Sequence, residues 1–369
     1  MSEDEATHLS RARLALRNAV AVVPHTDADG LAAGAIALRE RREGADAAVL
    51  LGRGETPFGR PPPAALPDGP LAVLDWGVRP LERPALLVDH HLPEAGPRED
   101  QVVVSSYGFE PETPTAALMR RIVPAAPARL AGVGAVGDLG RRGLDLPECA
   151  GAPVTAVSRL AGLVNAPRRL LDGPVRTALA LLVEHDEPAA ALADPRIAEL
   201  EDAKREWRAE FDRTVHTAPQ VGESAALLRF SSPFQVHPVV AQTWARRLAP
   251  RLVLAANDGY LPGRVNFSAR GGQGSLPQLL RAALPDVGGE FAPRPGLRRK
   301  PRAGRVRAPA RGPRPRAYDV ADWLTSPRQA PVSVPRPSMS SLKRSRSPLT
   351  RRLTRPSASP TFSAAPSGS

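Results

Sequence analysis

Ala19-Val20-Ala21-Val22-Val23-Pro24-His25-Thr26-Asp27-Ala28-Asp29-Gly30 decides how this chain folds. The apolar run Ala19–Val23 is short and rich in β-branched residues, and it stops at Pro24-His25, so it reads as a buried strand. From Asp29 to Glu43 the chain is rich in Ala and Leu, turns charged, and meets Gly44, which predicts a helix with a C-terminal stop. A strand that hands over to a helix is half of an α/β unit, and ligands in such sheets bind at the carboxyl ends of strands. Here that end carries His25, Asp27 and Asp29. Two residues apart in an extended segment, Asp27 and Asp29 would point the same way.

Three further runs repeat the pattern downstream. Leu71–Leu74 ends in Asp75-Trp76-Gly77, Ala85–Val88 ends in Asp89-His90-His91, and the predicted helix Ala128–Leu139 contains Gly137-Asp138. Ala47–Leu51 and Val102–Val104 read as two more strands, Thr56–Pro70 as a Pro/Gly-rich loop, and Thr113–Ile122 as a helix. The alternation predicts a largely parallel sheet with helices on both faces. Taken singly, Asp-x-Asp is an ordinary cap or turn, His-His a surface or core pair, and Asp75 a strand end. Together they deliver carboxylate oxygens and imidazoles from several strand ends, which suits divalent cations. Two ions roughly 3.5–4 Å apart activate water and neutralise charge on a phosphoryl transition state. Oxygen-rich ligation with few histidines favours Mn²⁺ or Mg²⁺ over zinc.

The 369 residues allow two domains, and 42% hydrophobic residues are ordinary for a globular chain. The formal charge of +12 is unevenly placed. From Phe291 onward 18 Arg and Lys face two Asp, which leaves residues 1–290 at −4, so the body has no bulk nucleic-acid signature. A single cysteine, Cys149, forbids an intramolecular disulfide and fits a cytoplasmic location. The acidic start and the five-residue apolar run at Ala19–Val23 are too slight for a signal segment or a membrane span. Residues 150–217 read as helical, with Ile197–Arg213 as a charged connector. Beyond it lie a strand at Ala225–Phe230, a helix at Pro238–Leu248, a strand at Leu252–Ala256, a turn at Asn257-Asp258-Gly259, a strand at Gly263–Arg270 and a helix at Ser275–Leu284.

In order and spacing, the four runs resemble the motifs of the DHH phosphoesterase family: His25-x-Asp27-x-Asp29-Gly30, Asp75 before Gly77, Asp89-His90-His91, and Gly137-Asp138. The resemblance covers about residues 18–190. It implies an α/β fold with a Rossmann-like parallel sheet, joined by a linker to a smaller mixed α/β C-terminal domain, and an active site in the cleft between them. The implied division is 1–190 for the phosphoesterase domain, 191–217 for the linker, 218–292 for the associated substrate domain and 293–369 for a disordered tail. It further implies that His25 and Asp27 ligate one ion and Asp29 and His90 the other. Asp75 would bridge them, and Asp138 would complete the set. Asp89 would orient a histidine, and His91 would contact the scissile phosphate. Which of His90 and His91 meets metal stays open. The compact first motif is similar to the RecJ-like nuclease branch, whose substrates are single-stranded nucleic acid or short oligonucleotides. A cyclic dinucleotide or nucleotide phosphate is the alternative, and a non-catalytic module binding nucleic acid or replication proteins is a third. The strand Arg264–Arg270 resembles the core strand of the associated domain, which makes Asn266, Ser268 and Arg270 candidate substrate contacts, with Arg270 gripping phosphate.

That domain would continue with a Gly-rich run containing His. Here Gly288-Gly289 begins such a run and a Pro/Arg/Ser tail with 14 prolines follows from Pro293. The expectation is a shifted reading frame near Phe291, and the competing expectation is a basic arm for nucleic acid. Glu184-His185-Asp186-Glu187 reads as a solvated cap, Trp76 as a packing residue beside Asp75, and His237 has no assigned place.

Overall fold

A computed structural model describes residues 3–272. The helix expected at Ser275–Leu284, the Gly288-Gly289 run and the tail lie outside the described residues.

Four strands form the first sheet, all parallel and in sequential order: β1 (Ala21–Pro24), β2 (Leu71–Leu74), β3 (Ala85–Asp89) and β4 (Gln101–Ser105). The first three are almost wholly apolar and buried on both sides, as parallel strands require. One face, through Val22, Ala72, Leu74, Leu86 and Val88, packs against helices α1 (Glu3–Asn18), α2 (Ala28–Arg41), α3 (Thr115–Ile122), α4 (Ala128–Leu139), α5 (Val154–Val164) and α6 (Val175–Glu184). Among the described residues, helices cover one face and not both. The opposite face, through Ala21, Val23, Leu71, Val73, Ala85 and Leu87, is covered by Leu51, Phe58, Leu66, Trp76, Val78 and Leu81, which lie outside helices and strands. Large side chains from loops therefore do the work of a helical layer.

Two local expectations also change. Ala47–Leu51 is not a strand. It makes a short 3₁₀ turn at Ala45–Ala47 and a single parallel bridge from Ala48 to Val22, before the chain turns off at Gly52 and Gly54. Helix α2 stops at Arg42, which takes the left-handed conformation (φ 58°) and caps back onto the Leu38 and Arg39 carbonyls, so Gly44 is not the stop.

After α7 (Pro188–Ala193), the 19-residue helix α8 (Ile197–Val215) leads to a second sheet of β5 (Gln220–Val221), β6 (Ala225–Phe230), β7 (Leu252–Leu261) and β8 (Arg264–Gly271). β6 and β7 are parallel, while β5 and β8 run antiparallel to their neighbours. Helix α9 (His237–Arg247) packs with α8 on the Val253/Ala255 face of this sheet. Asn257-Asp258-Gly259 does not turn the chain. Asn257 is buried, and its side chain accepts from the Ser232 and Gly259 amides and donates to the Phe234 carbonyl. The result is a register shift within β7, and the hairpin turns later, at Gly263 (φ 70°).

Candidate metal centre

Strand register explains why the site forms. Pro24 lies beside Leu74, and Leu74 beside Val88, so the next residues, His25, Asp75 and Asp89, stand in one row at the carboxyl edge. The ladder continues one step, with His25 N–H bonded to Leu74 O and Asp75 N–H to Val88 O, both at 2.9 Å. Asp75 then takes φ 67°, a left-handed conformation that costs a non-glycine residue energy and occurs at functional positions.

Asp27 and Asp29 do not lie in an extended segment. Asp27 is the N-cap of α2, its carboxylate accepting the Gly30 amide at 3.1 Å, and Asp29 lies in the first turn. They consequently serve different neighbours. His25 Nδ1 is 3.0 Å from Asp27 Oδ2 and 3.8 Å from Asp75 Oδ2. His90 Nε2 is 2.9 Å from Asp138 Oδ2, 3.6 Å from Asp75 Oδ1 and 3.8 Å from Asp29 Oδ2. His91 Nδ1 is 3.8 Å from Asp75 Oδ1. Three groups with metal-holding spacing result: His25/Asp27/Asp75, Asp29/His90/Asp138 and Asp75/His90/His91. Asp75 belongs to two of them, one oxygen toward each side.

Asp89 belongs to none. Its fully buried carboxylate accepts the Gly77 and His91 amides at 2.6 Å each and faces His91 Nδ1 at 3.1 Å. Burial alone would raise its pKa, but the bonds from His91 and Gly77 outweigh that and hold it below the usual carboxylate range. Asp29 behaves oppositely. Burial and then the charge of Asp138 push it up to about 7, against His90 and the Ala116 amide. Asp75 is raised by burial and by Asp27, Asp29 and Asp138. Burial disfavours a charged His90, yet Asp138, Glu112, Asp75 and Asp29 raise its pKa.

This donor set fits divalent cations. Four carboxylates crowd a buried space, and His25 Nδ1 and both ring nitrogens of His90 lie 2.9–3.4 Å from carboxylate oxygens without a well-aligned hydrogen bond. Shared positive charge relieves the repulsion and gives those nitrogens a partner they can meet along their lone pairs. Close approach of α4 makes the crowding possible: a Cβ at Gly134 would strike Asp29 Oδ1 and fall 2.5 Å from the Ala116 Cβ, and one at Gly137 would fall 2.7 Å from the Ala28 Cβ.

Several neighbours gave no signal in the sequence. Glu112 Oε1 is 3.4 Å from His90 Nδ1, and Thr115 bonds both Asp29 and Asp75. Arg168 Nη2 lies 3.9 Å from Asp27 Oδ2 and its Nη1 donates to Gln235 Oε1 at 3.3 Å, linking the cluster to the segment before α9. Trp76 packs edge-on against His25, ring centroids 4.9 Å apart. Glu112, Thr115 and Arg168 came from tertiary contacts with no local pattern to mark them, whereas Trp76 was expected to pack beside Asp75 and does so against His25.

The candidate substrate residues alternate along β8. Asn266, Ser268 and Arg270 pair with Asn257, Ala255 and Val253, so they share the sheet face that carries α9. Ser268 is buried, Asn266 Oδ1 is buried without a partner, and Arg270 Nη1 donates to Ala269 O. His237 opens α9 beside them, its ring 5.4 Å from that of Tyr260; burial, then Arg270, lowers its pKa to about 4. From the loop between α2 and β2, Arg53 donates to Pro233 O (2.6 Å) and Tyr260 O (3.1 Å) and lies over the Tyr260 ring. Glu184 and Asp194 are tied by Arg196, and His185 Nε2 meets Asp194 at 2.8 Å, which makes that run an ion-pair cap.

No protein-family model matches the chain, and no curated protein matches it in sequence. Solved structures do match in fold. RecJ from Thermus thermophilus in complex with Mn²⁺ superposes with a TM-score of 0.53 at 21% identity, over 75% of this chain and 49% of that one. An exonuclease RecJ bound to manganese gives 0.51 at 20%, over 74% and 85%. The DHH domain of a member of the s1p family of ribosomal proteins gives 0.51 at 13%, over 78% and 85%. The match thus spans about half the length of the Thermus chain.

Proposed function

We propose that this chain, whose fold is the RecJ-like fold of the DHH family, is a phosphoesterase working with two divalent ions, Mn²⁺ or Mg²⁺. We assign it single-stranded nucleic acid or short oligonucleotides as substrate, and a cytoplasmic location. No helix among the described residues is long and apolar enough to cross a membrane. The observation that carries the reading is the adjoining pair of clusters His25/Asp27/Asp75 and Asp29/His90/Asp138 at the carboxyl ends of β1, β2 and β3, with Asp75 Oδ2 turned to the first and Asp75 Oδ1 3.6 Å from His90 of the second.

In this reading His25 and Asp27 would hold one ion and Asp29, His90 and Asp138 the other, with the Asp75 carboxylate between them turned to both. The ions, when bound, supply a nucleophile near neutral pH and offset charge building on phosphate oxygens. Asp89 is a positioning residue. With both oxygens engaged by Gly77 and His91 and its charge retained, it fixes the His91 ring through Nδ1. That leaves His91 Nε2 for a phosphate oxygen, where it can hold charge or deliver a proton. Arg270, with Ser268 and Asn266, takes a second phosphate of the substrate.

Two solved neighbours are RecJ structures with manganese, and the compact first motif agrees with that branch. The test is a panel of single-stranded oligonucleotide, cyclic dinucleotide and nucleotide phosphate incubated with Mn²⁺. Release of mononucleotides from the oligonucleotide supports the proposal. Turnover of the small phosphates alone moves the substrate assignment and keeps the chemistry, and equal turnover in excess chelator refutes both.

A further inference from the structure

Two of the buried carboxylates, Asp29 and Asp75, follow different strands, yet one residue touches both. Thr115, the first residue of α3, is fully buried. Its N–H donates to Asp29 Oδ2 at 2.7 Å and its hydroxyl donates to Asp75 Oδ1 at 2.9 Å. The Ala116 N–H reaches the other oxygen of Asp29 at 2.9 Å. A carboxylate oxygen has two lone pairs, so each bond occupies one and leaves the other for the cluster.

The hydroxyl contact matters most because of which oxygen it holds. Asp75 Oδ1 is the atom facing His90 and His91, while Oδ2 faces His25. Rotation about the Cβ–Cγ bond of Asp75 would exchange or misalign these two directions. The Thr115 hydroxyl pins that rotation.

We propose that Thr115 is a positioning residue that sets the Asp75 carboxylate to serve both ion sites at once. The inference rests on the two-ion reading above. Removing a neighbour that orients a ligand weakens metal affinity by about 10–100-fold.

The experiment is calorimetric titration of Mn²⁺ into the whole chain and into Thr115→Val, Thr115→Ala and Thr115→Ser, with circular dichroism as the folding control. Val keeps the volume and Ala avoids crowding, so one of them reports even if the other fails to fold. The expected result is Mn²⁺ affinity about 10–100-fold weaker in Val and Ala, with Ser within a few-fold of the unaltered chain. Unchanged affinity in either folded variant overturns the assignment of Thr115 and leaves the two-ion reading standing. A Ser variant as weak as Ala also overturns it, since the methyl group would then be what counts. Absence of saturable Mn²⁺ binding by the unaltered chain overturns the two-ion reading itself and this inference with it.

Discussion

The carboxyl edge of β1–β3 and the outer strand β8 both present a row of polar side chains, and the two rows are held differently. At the edge, backbone register does the placing: His25, Asp75 and Asp89 each follow residues paired across parallel strands. The start of α2 then adds Asp27 and Asp29, and glycines let α4 bring Asp138 within 2.9 Å of His90. On β8, Asn266, Ser268 and Arg270 share a face by the period of two, and that face is the one that carries α9, while Arg53 from the loop between α2 and β2 meets Pro233 and Tyr260. The first arrangement concentrates negative charge in a buried space, and the second offers cationic and neutral groups. A phosphate ester needs both, with cations at the reacting phosphate and Arg at the next one.

Breaking the first row has the largest expected effect. Asp75→Ala removes the carboxylate that faces both His25 and His90, and we expect Mn²⁺ affinity and hydrolysis to fall by more than ~100-fold, beyond the range for residues that only orient a ligand. Calorimetry and a turnover assay on the same preparation check this. An Asp75→Ala chain that retains both would remove the contrast between the rows.

His237 probes the second row through pH. Its pKa falls from 6.5 unfolded to about 4 folded, so the unfolded chain binds more protons between those values. Its contribution to stability is fully present above pH 6.5 and is lost as pH falls through 4; the maximum is about 3 kcal/mol. In urea unfolding at pH 7 and pH 4.5, His237→Phe should lose less stability over that interval than the unaltered chain. An identical loss in the two proteins contradicts the burial argument.

These two rows were not equally readable. The edge was legible because each ligand-type residue follows an apolar run, and a parallel sheet converts that local pattern into a shared location. The separation of Asp27 from Asp29 was not legible, because α2 begins earlier than an extended reading allows; the ordinary cap that Asp-x-Asp also suggests is what Asp27 forms. The loop-covered face of the sheet was hidden for a similar reason: Phe58, Leu66 and Trp76 pack as a layer without any period to announce it. In the second sheet Asn257-Asp258-Gly259 has turn composition, yet the Asn257 side chain satisfies three backbone groups and the strand runs on. Thr115, Glu112 and Arg168 act through contacts distant in sequence, and nothing beside them marks the partner.

Smaller effects sharpen the comparison. Gly134→Ala drives a methyl group into Asp29 and Ala116, and overpacking of this kind costs about 1–3 kcal/mol. The loss should appear in the denaturation midpoint and be accompanied by weaker Mn²⁺ binding, because Asp29 must move. Arg270→Ala should leave Mn²⁺ affinity unchanged and raise KM about tenfold, roughly the 1.4 kcal/mol of one charge-assisted contact. A fall in Mn²⁺ affinity in that variant would show that the two rows are not separate in function.

The most direct measurement is hydrolysis of a single-stranded oligonucleotide by the unaltered chain and by Asp75→Ala, each with Mn²⁺ and with excess chelator. The account predicts product from the unaltered chain with Mn²⁺ and from none of the other three conditions. Hydrolysis that persists in chelator, or that survives Asp75→Ala unchanged, would contradict it.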